Sequence, residues 1–168
     1  MLIAKLFLFL TLMLPQSSTW QRVDTDQHIS FLFPNKAQIL KQVTGGIPSR
    51  IYQTKDLVCV LGVVCSDFST RKINLNPENT LVLYEELKKG SLSVKTAILK
   101  DEKTIPYDNM LIKEIEYSVI KDNGEMTYFK RFIFRDNMVY QIAIGGKSRY
   151  RDLILKEREI FFNSLLFE

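Results

Sequence analysis

At 168 residues, 46% hydrophobic and 25% charged, the chain has the composition of an ordinary globular domain and not of a disordered segment. Its net charge of +4 is small and spread along the sequence, and even the densest basic stretch, 147–158, contains Asp152 and Glu157. That excludes the concentrated basic patch of a nucleic-acid binder. With residues 1–19 set aside, 149 remain, enough for one domain that buries roughly two-thirds of its unfolded surface without a metal or a disulfide.

Residues 1–19 read MLIAKLFLFLTLMLPQSST. Lys5 precedes a run from Leu6 to Leu14 that is apolar except for Thr11, and Pro15 with small polar residues follows. This is the order of a secretory signal. The run is shorter than the ~20 apolar residues that a spanning helix needs. No cysteine stands near the cleavage region, which argues against a lipid anchor. The expected organisation is a signal peptide at 1–19 and one domain at 20–168, exported to a periplasm or secreted. Membrane contact is expected only if the signal stays uncleaved.

In the mature chain, Ile29, Phe31 and Phe33 alternate before Pro34, so 28–33 is read as the first strand. Residues 35–48 are polar, with Gly45, Gly46 and Pro48, and are read as a loop or weak edge segment. Strands are predicted at 50–54 and 57–67, joined by a turn at Lys55-Asp56. The second is nearly continuously apolar, the pattern of a central strand covered on both faces. Asn76-Pro77-Glu78 is a helix start, combining a capping side chain, a first-turn proline and an acid near the positive end. Leu81, Leu83, Tyr84 and Leu87 form its apolar stripe. Lys88, Lys89 and a left-handed Gly90 suit its end, so the helix is predicted over 77–89.

Residues 111–121 alternate, with Leu111, Ile115, Tyr117 and Val119 on one face. Asn123-Gly124 is a strong hairpin signal. A two-residue turn there sets Ile115 opposite Phe132, Tyr117 opposite Lys130, Val119 opposite Tyr128, and Glu116 opposite Arg131 as an ion pair. The next turn is predicted as the three-residue loop Arg135-Asp136-Asn137, with Asn137 left-handed. That loop puts Phe132 and Phe134 on one face with Met138, Tyr140, Ile142 and Ile144. The expectation is a three-stranded antiparallel meander over 110–144, with Ile115, Phe132 and Tyr140 on one side. Gly145-Gly146 then ends the sheet, and Ser148 caps a last helix to about Leu165. The stripe of that helix is Tyr150, Leu153, Ile154, Ile160, Phe161 and Leu165, with Glu157 at its edge.

This order of elements, with Phe33-Pro34, Arg131-Phe132-Ile133-Phe134, Met138-Val139-Tyr140-Gln141-Ile142 and the closing 161–167 segment FFNSLLF, resembles the PsbP-like proteins. The likeness is above all to their exported bacterial relatives. The resemblance covers 28–168 and rests on packing motifs. It implies an α+β fold, an antiparallel sheet flanked by helices in an α/β/α sandwich. It also implies accessory or binding roles without catalysis, and it carries over no functional residue.

The chemistry read from the residues is sparse. Gly146-Lys147-Ser148 lacks the earlier glycine of a nucleotide-binding loop, since position 141 is Gln. A looser anion site remains as a candidate, formed by Gly146, Lys147, Ser148 and Arg149 at a helix start. Cys59 and Cys65 lie about 20 Å apart along an extended strand; a disulfide would need a sharp turn near Gly62, against the strand reading, so two buried free thiols are favoured over a bridge. His28, the only histidine, has no marked catalytic partner and is read as a polar residue at a strand start. Glu85 and Glu86 diverge on a helix, and Glu114 and Glu116 belong to the hairpin. No catalytic residue, metal site or cofactor is expected, and the balance is against an enzyme. The leading expectation is an exported binding or accessory domain that contacts a protein or envelope component. The alternative is a ligand-binding protein or enzyme with a pocket between helix and sheet.

Overall fold

The computed structural model describes residues 20–71, 75–107 and 110–168. The expected signal peptide, residues 1–19, lies outside the described residues. The strands are β1 (Gln21–Asp24), β2 (Ile29–Phe33), β3 (Gln38–Thr44), β4 (Ile47–Lys55), β5 (Cys59–Asp67), β6 (Ala97–Tyr107), β7 (Met110–Lys121), β8 (Gly124–Arg135), β9 (Met138–Lys147) and β10 (Leu166–Phe167). The helices are α1 (Pro77–Ser91) and α2 (Arg151–Asn163). The fold is mostly antiparallel sheet with two helices. Seven strands run in the order β3-β4-β5-β9-β8-β7-β6, and a small sheet runs β1-β2-β10. The predicted three-stranded meander is therefore the middle of a larger sheet.

Side chains alternate between the faces of a strand, so the register assigns each residue to a face. One face carries Leu61, Val63, Ile133, Tyr140, Ile142 and Ile144, which cluster with Ile154, Phe161 and Phe162 of α2 and with Ile29, Phe31 and Phe33 of β2. Phe31 packs 4.9 Å from Phe33 and edge-on to Tyr52, and Phe33 lies 5.5 Å from Phe161. Such pairs contribute about 0.5–1.5 kcal/mol each beyond their burial. The opposite face carries Ile115, Phe132, Phe134 and Val139, which cluster with Tyr84 of α1. The Tyr84 and Phe132 rings meet edge to face at 5.4 Å.

The hairpin registers differ from those expected. Lys121 pairs with Gly124, so the β7–β8 turn is Asp122-Asn123 and not Asn123-Gly124. Gly124 itself takes the left-handed backbone, at φ 112°. The whole pairing shifts by two residues. Ile115 faces Lys130, Tyr117 faces Tyr128, Val119 faces Met126, and Glu114 rather than Glu116 faces Arg131. A shift of two keeps every residue on its predicted face. The β8–β9 turn is a different matter. It has two residues, Asp136-Asn137, and Asp136 holds the positive φ of 53°. Tyr140, Ile142 and Ile144 consequently lie on the face opposite Phe132 and Phe134. The expected common face fails because β8 buries both of its sides, with Phe129 and Ile133 on one and Phe132 and Phe134 on the other. Apolar matching between β8 and β9 then leaves the register open by one residue.

Other expectations are corrected locally. Residues 38–44 form β3, a sheet edge exposed along its whole length. β5 is central but buries one face, and Val60 on the other is 57% exposed. Asn76 caps α1 as predicted, its side chain accepting from the Asn79 N–H at 2.8 Å. The helix runs on to Ser91, so Gly90 is helical and not a left-handed cap, and Leu81 is exposed. Gly145 and Gly146 stay within β9. Ser148 does not cap a helix. It opens a three-residue 3-10 turn, and α2 starts at Arg151. Leu153 and Ile160 of the predicted stripe are exposed, whereas Ile154, Phe161 and Phe162 are buried. Cys59 and Cys65 are free and buried on β5, as read, and burial pushes both thiols up to about 12.

Candidate functional site

Three polar regions stand out. The first joins α2 to the sheet. Glu114 of β7 is 2% exposed. Its Oε2 accepts from Arg131 Nε at 3.0 Å and Nη2 at 2.9 Å. Its Oε1 pairs with Arg158 of α2 and lies 3.2 Å from Lys103 Nζ of β6. Arg131 also donates to the Phe162 carbonyl at 3.0 Å and stacks 4.6 Å from the Phe162 ring. Burial raises the Glu114 carboxyl, but Arg158 and Arg131 outweigh it and hold the group below the usual carboxylate range. The cluster has no free acid, so its chemistry is that of a lock between helix and sheet. Nearby, Glu116 takes two hydrogen bonds from Arg151, at 2.9 and 3.0 Å, in a more exposed setting.

The second region is Lys130, on the α1 face of β8. Its ammonium donates to Ser91 Oγ at 3.0 Å at the end of α1 and lies 5.1 Å from the Phe132 ring centre. Burial pushes it down to about 8. The unfolded chain keeps this proton up to about the ordinary lysine value of 10.5. Between pH 8 and 10.5 the unfolded state therefore binds more protons, and the Lys130 contribution makes stability rise with pH. Lys130→Met is expected to stabilise the protein by about 1–2 kcal/mol at pH 7, because an apolar chain of similar shape replaces a poorly solvated cation. It should also flatten the rise between pH 8 and 10.5. Urea unfolding at pH 7 and pH 10 checks both, and a less stable variant at pH 7 would contradict the account.

The third region is a cleft of about 470 Å³ at the end of the seven-stranded sheet. Its floor is β3, β4 and β5, with Lys41, Arg50 and Asp67, and its wall is the β1–β2 turn, with Asp26, Gln27 and His28. The turn is held by its own residues. Thr25 Oγ1 donates to the Ile29 carbonyl at 2.6 Å and accepts from the Gln27 N–H at 3.2 Å. Two buried tyrosines anchor it from below. The Tyr52 hydroxyl donates to Gln27 Oε1 at 2.6 Å, and the Tyr140 hydroxyl to the Gln27 carbonyl at 2.7 Å. Arg50 pairs with Asp26 at the rim. The Asp26 carboxyl sits below its ordinary range despite some desolvation, because Gln27 and Arg50 donate to it. His28 is exposed just before β2, as read from the sequence, with φ 58°.

The fold brings Gly146, Lys147, Ser148 and Arg149 together at the junction of β9 and the 3-10 turn, where Gly146, Lys147 and Arg149 help to line a pocket of about 320 Å³ that Asp56 also borders. A side chain on Gly146 would meet the Val58 carbonyl oxygen at 2.2 Å. Ser148 Oγ lies 2.8 Å from Thr127 Oγ1 in a hydroxyl pair, and the Arg149 guanidinium lies 4.7 Å from the Tyr150 ring centre. Among the described residues no group of three or more His, Cys, Asp or Glu is placed to hold a metal, and no helix is long and apolar enough to cross a membrane. Sequence reasoning missed the Glu114 cluster. Its one local trace is an acid two positions after Ile112, on the buried side of β7. The cleft had no trace at all, because its residues come from four strands and a turn.

No protein-family model and no curated protein matches the sequence. The solved structures do. Cyanobacterial PsbP from Synechocystis superposes over 90% of this chain and 94% of its own, with a TM-score of 0.63 at 15% identity. The fold is the PsbP fold. A Pseudomonas aeruginosa protein of unknown function matches with a TM-score of 0.45 at 12% identity, covering 83% of this chain and 88% of that one. LpqN of Mycobacterium tuberculosis, described as involved in cell envelope biogenesis, matches with a TM-score of 0.47 at 10% identity, over 87% of this chain and 76% of its own. At 15% identity the likeness to PsbP shows the fold alone, and fold does not by itself give a role.

Proposed function

We propose that the chain is an exported, non-enzymatic binding domain with an α/β/α layering, and that it contacts a protein partner or another envelope component. Residues 1–19 act in this reading as the signal peptide, and the mature domain works in a periplasm or outside the cell. The observation that carries the binding role is an apolar strip at one end of the large sheet. Leu40, Ile51 and Val64 lie side by side across β3, β4 and β5, on the same face as the α1-packed residues. Leu40 is exposed and Ile51 and Val64 are half-buried, because the core cluster of α1 takes in β7, β8 and β9 instead. Apolar area left open beside polar residues marks a contact surface.

The test is expression in the native host, with the mass of the mature chain and its cell fraction measured together. The expected result is loss of residues 1–15, recovery outside the cytoplasm, and a reproducible cross-linked partner that Leu40→Glu removes. An intact N-terminus in the cytoplasm overturns export, and a cross-link that survives Leu40→Glu overturns the role of the strip. A second reading is a domain that holds a small ligand, favoured by the cleft where Asp26, Lys41, Arg50 and Asp67 converge. That cleft is not the pocket between helix and sheet expected from the sequence, since none of its lining residues belongs to a helix.

A further inference from the structure

The two edges of the seven-stranded sheet are built differently. An open edge offers unpaired backbone groups, and proteins block such edges with charge, proline and bulges. β6 has all three devices. Its register breaks between Leu99 and Asp101, Lys100 to Lys103 are four consecutive charged residues, and Pro106 removes a donor. β3 has none of the three to that degree. It pairs with β4 in unbroken register from Gln38 to Thr44, contains no proline, and carries a single charge, Lys41. Ile39 and Val43, on the cleft side with Lys41, are 57% and 70% exposed.

We infer that β3 is a docking edge, and that its occupant is an extended segment of a partner protein with an acidic residue flanked two positions away on each side by apolar residues. This rests on the binding role proposed above and names the kind of partner. Main-chain hydrogen bonds to the outer side of β3 hold the segment, and alternate side chains select it. The apolar residues lie against Ile39 and Val43, and the acid lies opposite Lys41. Lys41 is an open cation at the middle of this edge: its register neighbour Arg50 is taken by Asp26, and no carboxylate among the described residues forms an ion pair with Lys41. The same lysine argues against a second copy of the chain. An antiparallel β3–β3 contact centred on position 41 sets lysine against lysine, and like charges directly opposite each other are destabilising.

The test uses isotope-labelled protein and three synthetic peptides. The first is Thr-Val-Thr-Asp-Thr-Val-Thr, the second has Lys in place of Asp, and the third is the first with alternate backbone nitrogens methylated. The expected result is amide shift changes concentrated in β3 with the first peptide, binding weaker by about tenfold with the second, and none with the third. Lys41→Glu should reverse the preference between the first two. Shift changes elsewhere, no binding of the first peptide, equal binding of the first two, or an unchanged preference in Lys41→Glu would each overturn the inference. So would a protein dimer seen by sedimentation that the neutral Lys41→Gln strengthens. A cross-linked partner lost with Leu40→Glu but kept with Lys41→Glu would leave the binding role standing and remove only the acidic edge.

Discussion

Glu114→Gln is expected to destabilise the protein by about 3–5 kcal/mol, the size seen when one partner of a buried ion pair is removed. The amide preserves shape and one hydrogen-bond acceptor, so the loss is electrostatic. Arg131 and Arg158 remain enclosed among Phe129 and Phe162, with no carboxylate to balance them. Because Arg158 belongs to α2, the damage extends to the packing of that helix on the sheet. Glu116→Gln is the comparison. Its partner Arg151 is exposed, and solvent screening limits that change to about 1 kcal/mol or less. The Glu114 carboxyl lies below its ordinary value of 4.5. A depressed acid contributes stability that is complete above pH 4.5 and fades as pH falls through the lower folded value. The wild-type protein should therefore lose stability below pH 4.5 more steeply than Glu114→Gln. Urea unfolding at pH 7 and through the acid range measures both effects. Equal losses for the two glutamine variants would refute the cluster as a lock.

Gly146→Ala is expected to be the other severe change. The new Cβ would lie 2.2 Å from the Val58 carbonyl oxygen and 3.3 Å from its carbon, with Ile154 Cδ1 at 3.0 Å. The obstacle is mainly backbone, in the connection between β4 and β5, so a rotamer change does not relieve it. Overpacking of this kind costs about 1–3 kcal/mol and occasionally more, and the rigid neighbour puts Gly146 at the upper end. Gly90→Ala gives the contrast. Gly90 lies in α1, and nothing stands within 4 Å of the added carbon. Alanine there should stabilise by about 0.5–1 kcal/mol, through lower chain entropy in the unfolded state and better helix propensity. Thermal unfolding of the pair should move the midpoint in opposite directions. A Gly146→Ala protein as stable as the wild type would contradict the close approach.

The four groups of the buried cluster come from residues 103, 114, 131 and 158, on β6, β7, β8 and α2. Nothing local links Glu114 to Arg158, and the sequence pattern paired Arg131 with Glu116 instead. The docking edge was equally hidden. Residues 38–44 look like a loop because every one of them faces solvent, and an exposed edge strand has no buried side to impose alternation.

Where a segment answers to its own neighbours, the sequence alone was enough. The Asn76-Pro77 start of α1, the presence but not the length or residues of the turns near 123 and 136, the alternation of β2 and β7, and the burial of both cysteines depend on contacts a few residues away or on the period of a strand. Only the tertiary structure decided the β8–β9 register, the strands β1, β6 and β10, the partners of Glu114 and the closure of the cleft. The physical reason is that the central sheet is packed on both sides: hydrophobic alternation loses its power to choose a face once both faces are buried. Edge strands have the opposite problem, since they are ordered by a neighbour's backbone and leave little mark in their own side chains.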